Sequence, residues 1–274
     1  PLTSPAMTDL LHSETFQVIV LAIVQGISEF LPISSDGHLI AVESLLPGIE
    51  DKTEINLILH FGTLLSIIVF YWRQLLQLLT SDRRVIPLLI LGTVPVAIVG
   101  VIIKKKFPEL IENPLLGGFM LVVMGLLLLL MEWIKGGETD YRKMAPRVAL
   151  LIGIAQVFAL LPGISRSGTT ILTGCLLGLQ RQSAATFSFL LAVPAIAGAT
   201  LLEGLDIYEQ GGVKCDPQAA FLGCALAFVI GLVALNLLVR LLNQGKLHWF
   251  AYWLIPFGVA NVVWQLYLLT QSPA

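Results

Sequence analysis

Gln25-Gly26-Ile27-Ser28-Glu29-Phe30-Leu31-Pro32-Ile33-Ser34-Ser35-Asp36-Gly37-His38 interrupts an apolar run that starts at Phe16. A second interruption, Leu161-Pro162-Gly163-Ile164-Ser165-Arg166-Ser167-Gly168-Thr169-Thr170, follows the apolar run 148–161. The first run, 16–31, and the second are both short of the roughly 20 residues that a helix needs to cross a bilayer. Each stops at a proline, Pro32 or Pro162, and a Ser- and Gly-rich turn leads into a further short apolar stretch, 37–46 or 168–177. Half-helix, break, half-helix is the pattern of a re-entrant hairpin.

The rest of the 274-residue chain has the same character, with 56% hydrophobic and 12% charged residues and a mean hydropathy of +0.87. That excludes a soluble protein. Runs near 55–72, 86–103, 115–133, 186–202, 219–241 and 249–269 are each long enough to cross as helices, so a transmembrane β-barrel is excluded too. The expected class is an all-α polytopic membrane protein. A net charge of −2 offers no basic surface for nucleic acid, and Cys175, Cys215 and Cys224 are too few and unpatterned for a disulfide framework or a zinc site. Residues 1–15 form an N-terminal segment without the basic n-region of a cleavable signal peptide; 1–6, ahead of Met7, are read as an expression remnant.

Sliding the chain along itself at an offset of 131 pairs Ile23/Ile154, Gln25/Gln156, Ile33/Ile164, Ser34/Ser165, Gly37/Gly168, Ile40/Ile171, Leu45/Leu176 and Leu46/Leu177. About three matches would arise by chance. The expected organisation is one integral membrane domain of two repeats, 16–134 with its hairpin at 16–47 and 148–270 with its hairpin at 148–178. Each repeat holds one re-entrant hairpin plus three transmembrane helices. Three crossings is an odd number, so the second repeat starts on the opposite face and the topology is inverted. The positive-inside rule then puts Arg73/Arg83/Arg84, Lys135/Arg142/Lys143/Arg147 and Arg240/Lys246 in the cytoplasm. Outside are Glu203/Asp206/Glu209/Asp216 and Glu50/Asp51/Glu54. The misfit is Lys104–Lys106, which lands outside, partly offset by Glu109 and Glu112.

Ionisable residues at membrane depth are costly unless they meet a partner or a cavity. Gln25 and Glu29 are four apart and share a helix face; Ser34, Ser35, Asp36 and His38 follow in one loop and the first turn beyond it. The second tip brings Arg166, a planar fork of donors suited to phosphate, among Gly163, Gly168, Ser165, Ser167 and Thr170. It lacks the spacing of a nucleotide P-loop. Two half-helices begin at these tips, and their free N–H groups with Arg166 make an anion site. A structural ion pair between Arg166 and Glu29 is the plainer reading and is compatible with this one. A hydroxyl, a histidine, a carboxylate and an anion site within a membrane suggest phosphoryl or pyrophosphoryl chemistry on a lipid.

The two motifs, in this order and separation, resemble the signatures of the bacterial undecaprenyl-diphosphate phosphatase family, also called bacitracin-resistance proteins. Length and helix layout are similar over essentially the whole chain. The resemblance implies hydrolysis of C55 isoprenyl diphosphate to the monophosphate at the outer side of the inner membrane, which recycles the carrier lipid for peptidoglycan. It also implies a divalent cation, Mg or Ca, and no organic cofactor. Matched residue by residue, Glu29, Ser35, His38 and Arg166 fall on the family's catalytic positions, with Gln25, Ser34, Ser165, Ser167, Gly168 and Thr170 around the phosphates. Gln25 stands where many members have glutamate, which weakens a two-carboxylate metal site; Glu29 and Asp36 are the remaining metal candidates. Asp36 stands where threonine is common.

On this reading Ser35 Oγ attacks the terminal phosphorus while His38 or Glu29 takes its proton; His38 as nucleophile, or direct attack by water, is the competing assignment. The expected partners are a polyprenyl diphosphate lipid, the bilayer and a second copy in a homodimer, with no nucleic acid. Broken helices in inverted repeats are also a transporter design, so a transporter or flippase for a phosphorylated lipid is the alternative.

Overall fold

A computed structural model describes residues 13–46, 52–111, 113–212 and 214–271. Glu50, Asp51, Glu112 and residues 1–12 of the N-terminal segment therefore lie outside the described residues. The helices are α1 (Glu14–Ser28), α2 (Ser35–Glu43), α3 (Lys52–Phe70), α4 (Trp72–Leu79), α5 (Val85–Lys106), α6 (Pro108–Ile111), α7 (Pro114–Leu129), α8 (Pro146–Phe158), α9 (Arg166–Leu176), α10 (Arg181–Glu209), α11 (Pro217–Asn243) and α12 (Ala251–Gln271). Among the described residues the only β-pairing is an isolated parallel bridge between Thr139 and Leu179. Lys52–Phe70, Val85–Lys106, Pro114–Glu132, Arg181–Glu209, Pro217–Asn243 and Leu247–Gln271 are long and apolar enough to cross a membrane. The protein is all-helical and multi-pass. Its outer faces are apolar, as lipid requires: α5 alone exposes Ile90, Val94, Ile98, Val101 and Ile102.

Local chemistry sets the helix starts. Pro114 and Pro217 occupy the first turns of α7 and α11, where a missing N–H costs nothing, behind Asn113 and Asp216, whose side chains accept from Leu116 N–H and Ala219 N–H. Two boundaries differ from the hydropathy reading. The run 55–72 ends as a helix at Phe70, and α4 follows as a separate piece with Leu78 buried and Arg73 exposed. The run 186–202 belongs to a 29-residue helix, because its polar flanks contain nothing that breaks a helix until Gly211 and Gly212 turn to φ of 109° and 88°.

Polar contacts show which helix ends lie together. Asp216 N–H donates to Glu14 at 3.0 Å, Lys214 N–H to Glu54 at 2.7 Å, and Asn56 Nδ2 to Glu43 at 3.0 Å, which gathers the starts of α1, α3 and α11 with the end of α2. Lys104 pairs with Asp206 at 2.7 Å, joining the ends of α5 and α10. At the other end Arg142 pairs with Asp82 at 2.6 Å, and Gly137 N–H donates to Leu179 O at 2.9 Å, so the chain ahead of α8 meets the chain after α9. Each hairpin thus returns to the end from which it started.

The core fixes the hairpin tips. Phe30, in the first break, is fully buried and meets Phe189 of α10 edge-on at 5.9 Å, while Tyr71 stacks on the same ring at 5.6 Å.

Candidate active site

Both breaks are built alike. α1 ends at Ser28, Pro32 supplies no N–H, and Ser34 caps α2 by accepting Gly37 N–H at 3.4 Å. Ser165 caps α9 in the same way, accepting Gly168 N–H at 3.2 Å. Such caps satisfy donors that the helix leaves unpaired. Ser34 has φ of 69°, the only positive φ at a non-glycine among the described residues; residues held in this sparsely populated region cluster at functional sites. The tips touch through glycines: a Cβ on Gly37 would lie 3.0 Å from Gly163 Cα, and one on Gly168 would lie 3.0 Å from Pro32 Cβ.

Glu29 is the hub where they meet. Its side chain is 5% exposed, and both carboxylate oxygens are engaged. Oε1 accepts from Arg166 Nη2 of the other hairpin. Oε2 accepts from Ser35 Oγ at 2.9 Å and from Gln25 Nε2 at 3.1 Å, the i, i+4 geometry expected of Gln25. His60 of α3 also reaches it, with Nε2 3.7 Å from Oε2. Arg166 Nη1 is buried and without a hydrogen-bond partner, and so is Gln25 Oε1. A buried guanidinium N–H left unpaired is costly, so Arg166 has one arm on Glu29 and one that suits an anion.

Other residues singled out by sequence take different positions. His38 does not contact Ser35 or Glu29 through any hydrogen bond among the described residues. Its Nδ1 donates to Ser34 O at 2.8 Å, its Nε2 accepts from Trp253 Nε1 at 2.9 Å, and Phe257 stacks on the ring at 4.5 Å. Both nitrogens are therefore occupied. Ser167 Oγ lies 3.1 Å from Ser165 Oγ and donates to Leu31 O of the first hairpin at 3.4 Å, while Thr170 Oγ1 donates to Arg166 O at 2.8 Å. These hydroxyls are buried and tie the second tip together. Gly168 passes close to Met124 and Pro32, where a side chain would collide. Asp36 is half-buried, with no hydrogen bond to its carboxylate among the described residues.

A protein-held divalent metal does not fit this donor set. Glu29 has both oxygens committed to donors, Gln25 supplies an amide in place of a second carboxylate, and no group of three or more His, Cys, Asp or Glu side chains converges among the described residues. Glu29 and Asp36 are the carboxylates at the tips, and the remaining ligands of a cation would have to come from the diphosphate.

Sequence reading missed His60, Trp253 and Phe257, because each sits in a long apolar helix away from the breaks. A histidine inside the hydrophobic run 55–72 was the available signal. Chemically, the cluster offers a hydroxyl in contact with a carboxylate, the geometry of an activated nucleophile. It also offers a guanidinium arm and free N–H groups at the starts of α2 and α9 for phosphoryl oxygens.

The chain is similar to known proteins over nearly its whole length. Residues 18–260 match the family model described as bacitracin resistance protein BacA. The chain is 47% identical over 254 residues to an undecaprenyl-diphosphatase of Rhodopirellula baltica, covering 92% of this chain and 99% of that one. Proteins of the same name from Halothermothrix orenii, 37% identical over 91% of this chain and 98% of theirs, and Methanosphaera stadtmanae, 34% identical over 93% and 99%, are also similar. With matches spanning nearly its whole length and a site assembled from both motifs, the chain belongs to the bacitracin resistance protein BacA family.

Proposed function

We infer that the protein hydrolyses the terminal anhydride of undecaprenyl diphosphate, releasing inorganic phosphate and the lipid monophosphate. The carrying observation is the Glu29 carboxylate that binds the Ser35 hydroxyl on one side and Arg166 on the other. Membership of the BacA family and relatives named undecaprenyl-diphosphatase support the substrate. Ser35 Oγ is the nucleophile and Glu29 its base. The free arm of Arg166 and the N–H groups at the helix starts hold the equatorial oxygens as charge develops. Gln25 orients Glu29, and Ser34, Ser165, Ser167, Gly168 and Thr170 shape the two breaks that present the backbone. His38, bound by Trp253 and by the Ser34 carbonyl, positions the nucleophile loop. A divalent cation is part of the substrate, carried in on the diphosphate oxygens.

The repeats 16–134 and 148–270 are related by inverted topology. The support is that hairpin α1–α2 starts and returns at the end holding Glu14, Glu54 and Asp206, while hairpin α8–α9 does so at the end holding Arg142 and Asp82. The Lys104 ion pair with Asp206 offsets the basic cluster that the positive-inside rule finds misplaced. The first end faces the periplasm of a bacterial inner membrane, the site opens to it, and the product re-enters carrier-lipid recycling for the cell wall.

The test is phosphate release from undecaprenyl diphosphate by purified protein in detergent. Release that is lost in the Ser35→Ala variant supports the reading. No release, with lipid moved across reconstituted vesicles, would make it a transporter.

A further inference from the structure

We propose that His60 carries away the proton that Ser35 loses, receiving it through Glu29; this rests on Ser35 as nucleophile and Glu29 as its base. The geometry separates the two histidines near the site. His38 has both ring nitrogens engaged, one by the Ser34 carbonyl and one by the Trp253 indole N–H. His60 has one engaged: Nδ1 lies 2.8 Å from Asn56 O. A carbonyl only accepts, so Nδ1 carries the hydrogen and the neutral ring keeps its lone pair on Nε2, the nitrogen facing Glu29 at 3.7 Å. That separation is slightly longer than a hydrogen bond, as catalytic contacts are before substrate closes them.

Access points the same way. The Glu29 side chain is 5% exposed and His60 is 25% exposed. A proton taken up by Glu29 meets donors on three of its sides, Arg166, Ser35 and Gln25. His60 is the neighbour able to accept it. The charged groups around His60 are Glu29, Asp36 of α2 and Glu203 of α10, with Arg166 of α9 beyond Glu29 and Glu43 of α2 held by Asn56. Packed against α3, α11 brings no ionisable side chain between Pro217 and Arg240 except the Cys224 thiol.

The proton balance requires such an exit. In the first half-reaction the Ser35 Oγ–H bond breaks and an Oγ–P bond forms. The P–O anhydride bond breaks with its electron pair remaining on the lipid monophosphate, and the proton passes to Glu29 and then to His60 Nε2. In the second, water bonds to phosphorus and the Oγ–P bond breaks. One water proton returns to Ser35 Oγ through Glu29, and the other stays on inorganic phosphate. One proton per turnover is left on His60 and is released to water.

The experiment compares kcat, KM and pH–rate profiles on undecaprenyl diphosphate in detergent for the wild type, His60→Gln, His60→Ala and Ser35→Ala. Glutamine can hydrogen-bond to Glu29 but cannot carry a proton. For His60→Gln, kcat should fall about 10²-fold with KM within about threefold. The position of the acid-side decline of kcat should change, because protonated His60 can accept nothing more and its share of that decline is lost. Added imidazole should restore His60→Ala. The proposal is overturned if His60→Gln keeps kcat and leaves the acid-side decline where the wild type has it. It is equally overturned if imidazole fails to restore a His60→Ala protein that still binds a non-hydrolysable diphosphate lipid, or if both variants lose that binding, which makes His60 structural. Ser35→Ala with near-normal turnover sinks the nucleophile reading instead, independently of His60.

Discussion

Arg166 divides its guanidinium: Nη2 binds the Glu29 carboxylate 137 residues away, and Nη1 is buried without a partner. One residue thus ties the two hairpins together and keeps one buried donor unpaired. Lysine offers a single ammonium that cannot serve both directions as a planar fork does.

Arg166→Lys should therefore lose kcat/KM almost as severely as Arg166→Ala, both by about 10²-fold or more, as for a lost transition-state donor. Steady-state kinetics in detergent checks this. Lysine within about threefold of wild type would make Arg166 a generic counter-charge.

Ser35→Ala should reduce single-turnover hydrolysis by at least about 10²-fold while leaving diphosphate-lipid binding within a few-fold, since the hydroxyl acts in the transition state. Rapid quench and equilibrium binding on the same sample separate the two. Activity above about a tenth of wild type moves the nucleophile to water.

Glu29→Gln removes the charge that compensates a largely buried guanidinium. Breaking such a pair costs about 3–5 kcal/mol. The thermal midpoint of the variant should fall, and adding Arg166→Gln should recover part of the loss. A double variant less stable than the sum of the singles would show that the pair is not coupled in this way.

Gly163 has φ of 92°, and a Cβ there would lie 2.8 Å from Leu121 N. Gly163→Ala should cost about 1–3 kcal/mol of stability and most of the activity, although no functional group is touched. Gly198, with nothing within 4 Å of a built Cβ, is the control: as alanine within α10 it should be neutral or stabilising by about 0.5–1 kcal/mol. Equal effects at both positions would remove the case that the close approach of the second break to α7 matters.

Membrane orientation is checked by cysteine labelling in a background lacking Cys175, Cys215 and Cys224. The exposed positions Glu209 and Ser81 should label from opposite faces, Glu209 from outside. Labelling from one face would dismantle the inverted arrangement.

Hydropathy and proline placement are local properties, and by themselves they determined an all-helical multi-pass membrane protein with two broken helices and polar tips. Pro32, and Pro162 with Gly163, disfavour helix continuation through the chain's own covalent chemistry, and Gln25 and Glu29 share a face because four residues make about one turn. Only the tertiary structure decided which polar groups meet. A side chain on a helix turns by about 100° per residue, so a small rotation of α2 or α3 determines whether His38 or His60 faces Glu29. Packing against Trp253 and Phe257 turned His38 aside, while α3 delivered His60 from a run that read as plain apolar span. The inward turn of Ser165, Ser167 and Thr170 has the same origin: a buried hydroxyl takes the nearest acceptor, and that acceptor is known only once the second hairpin is folded against the first.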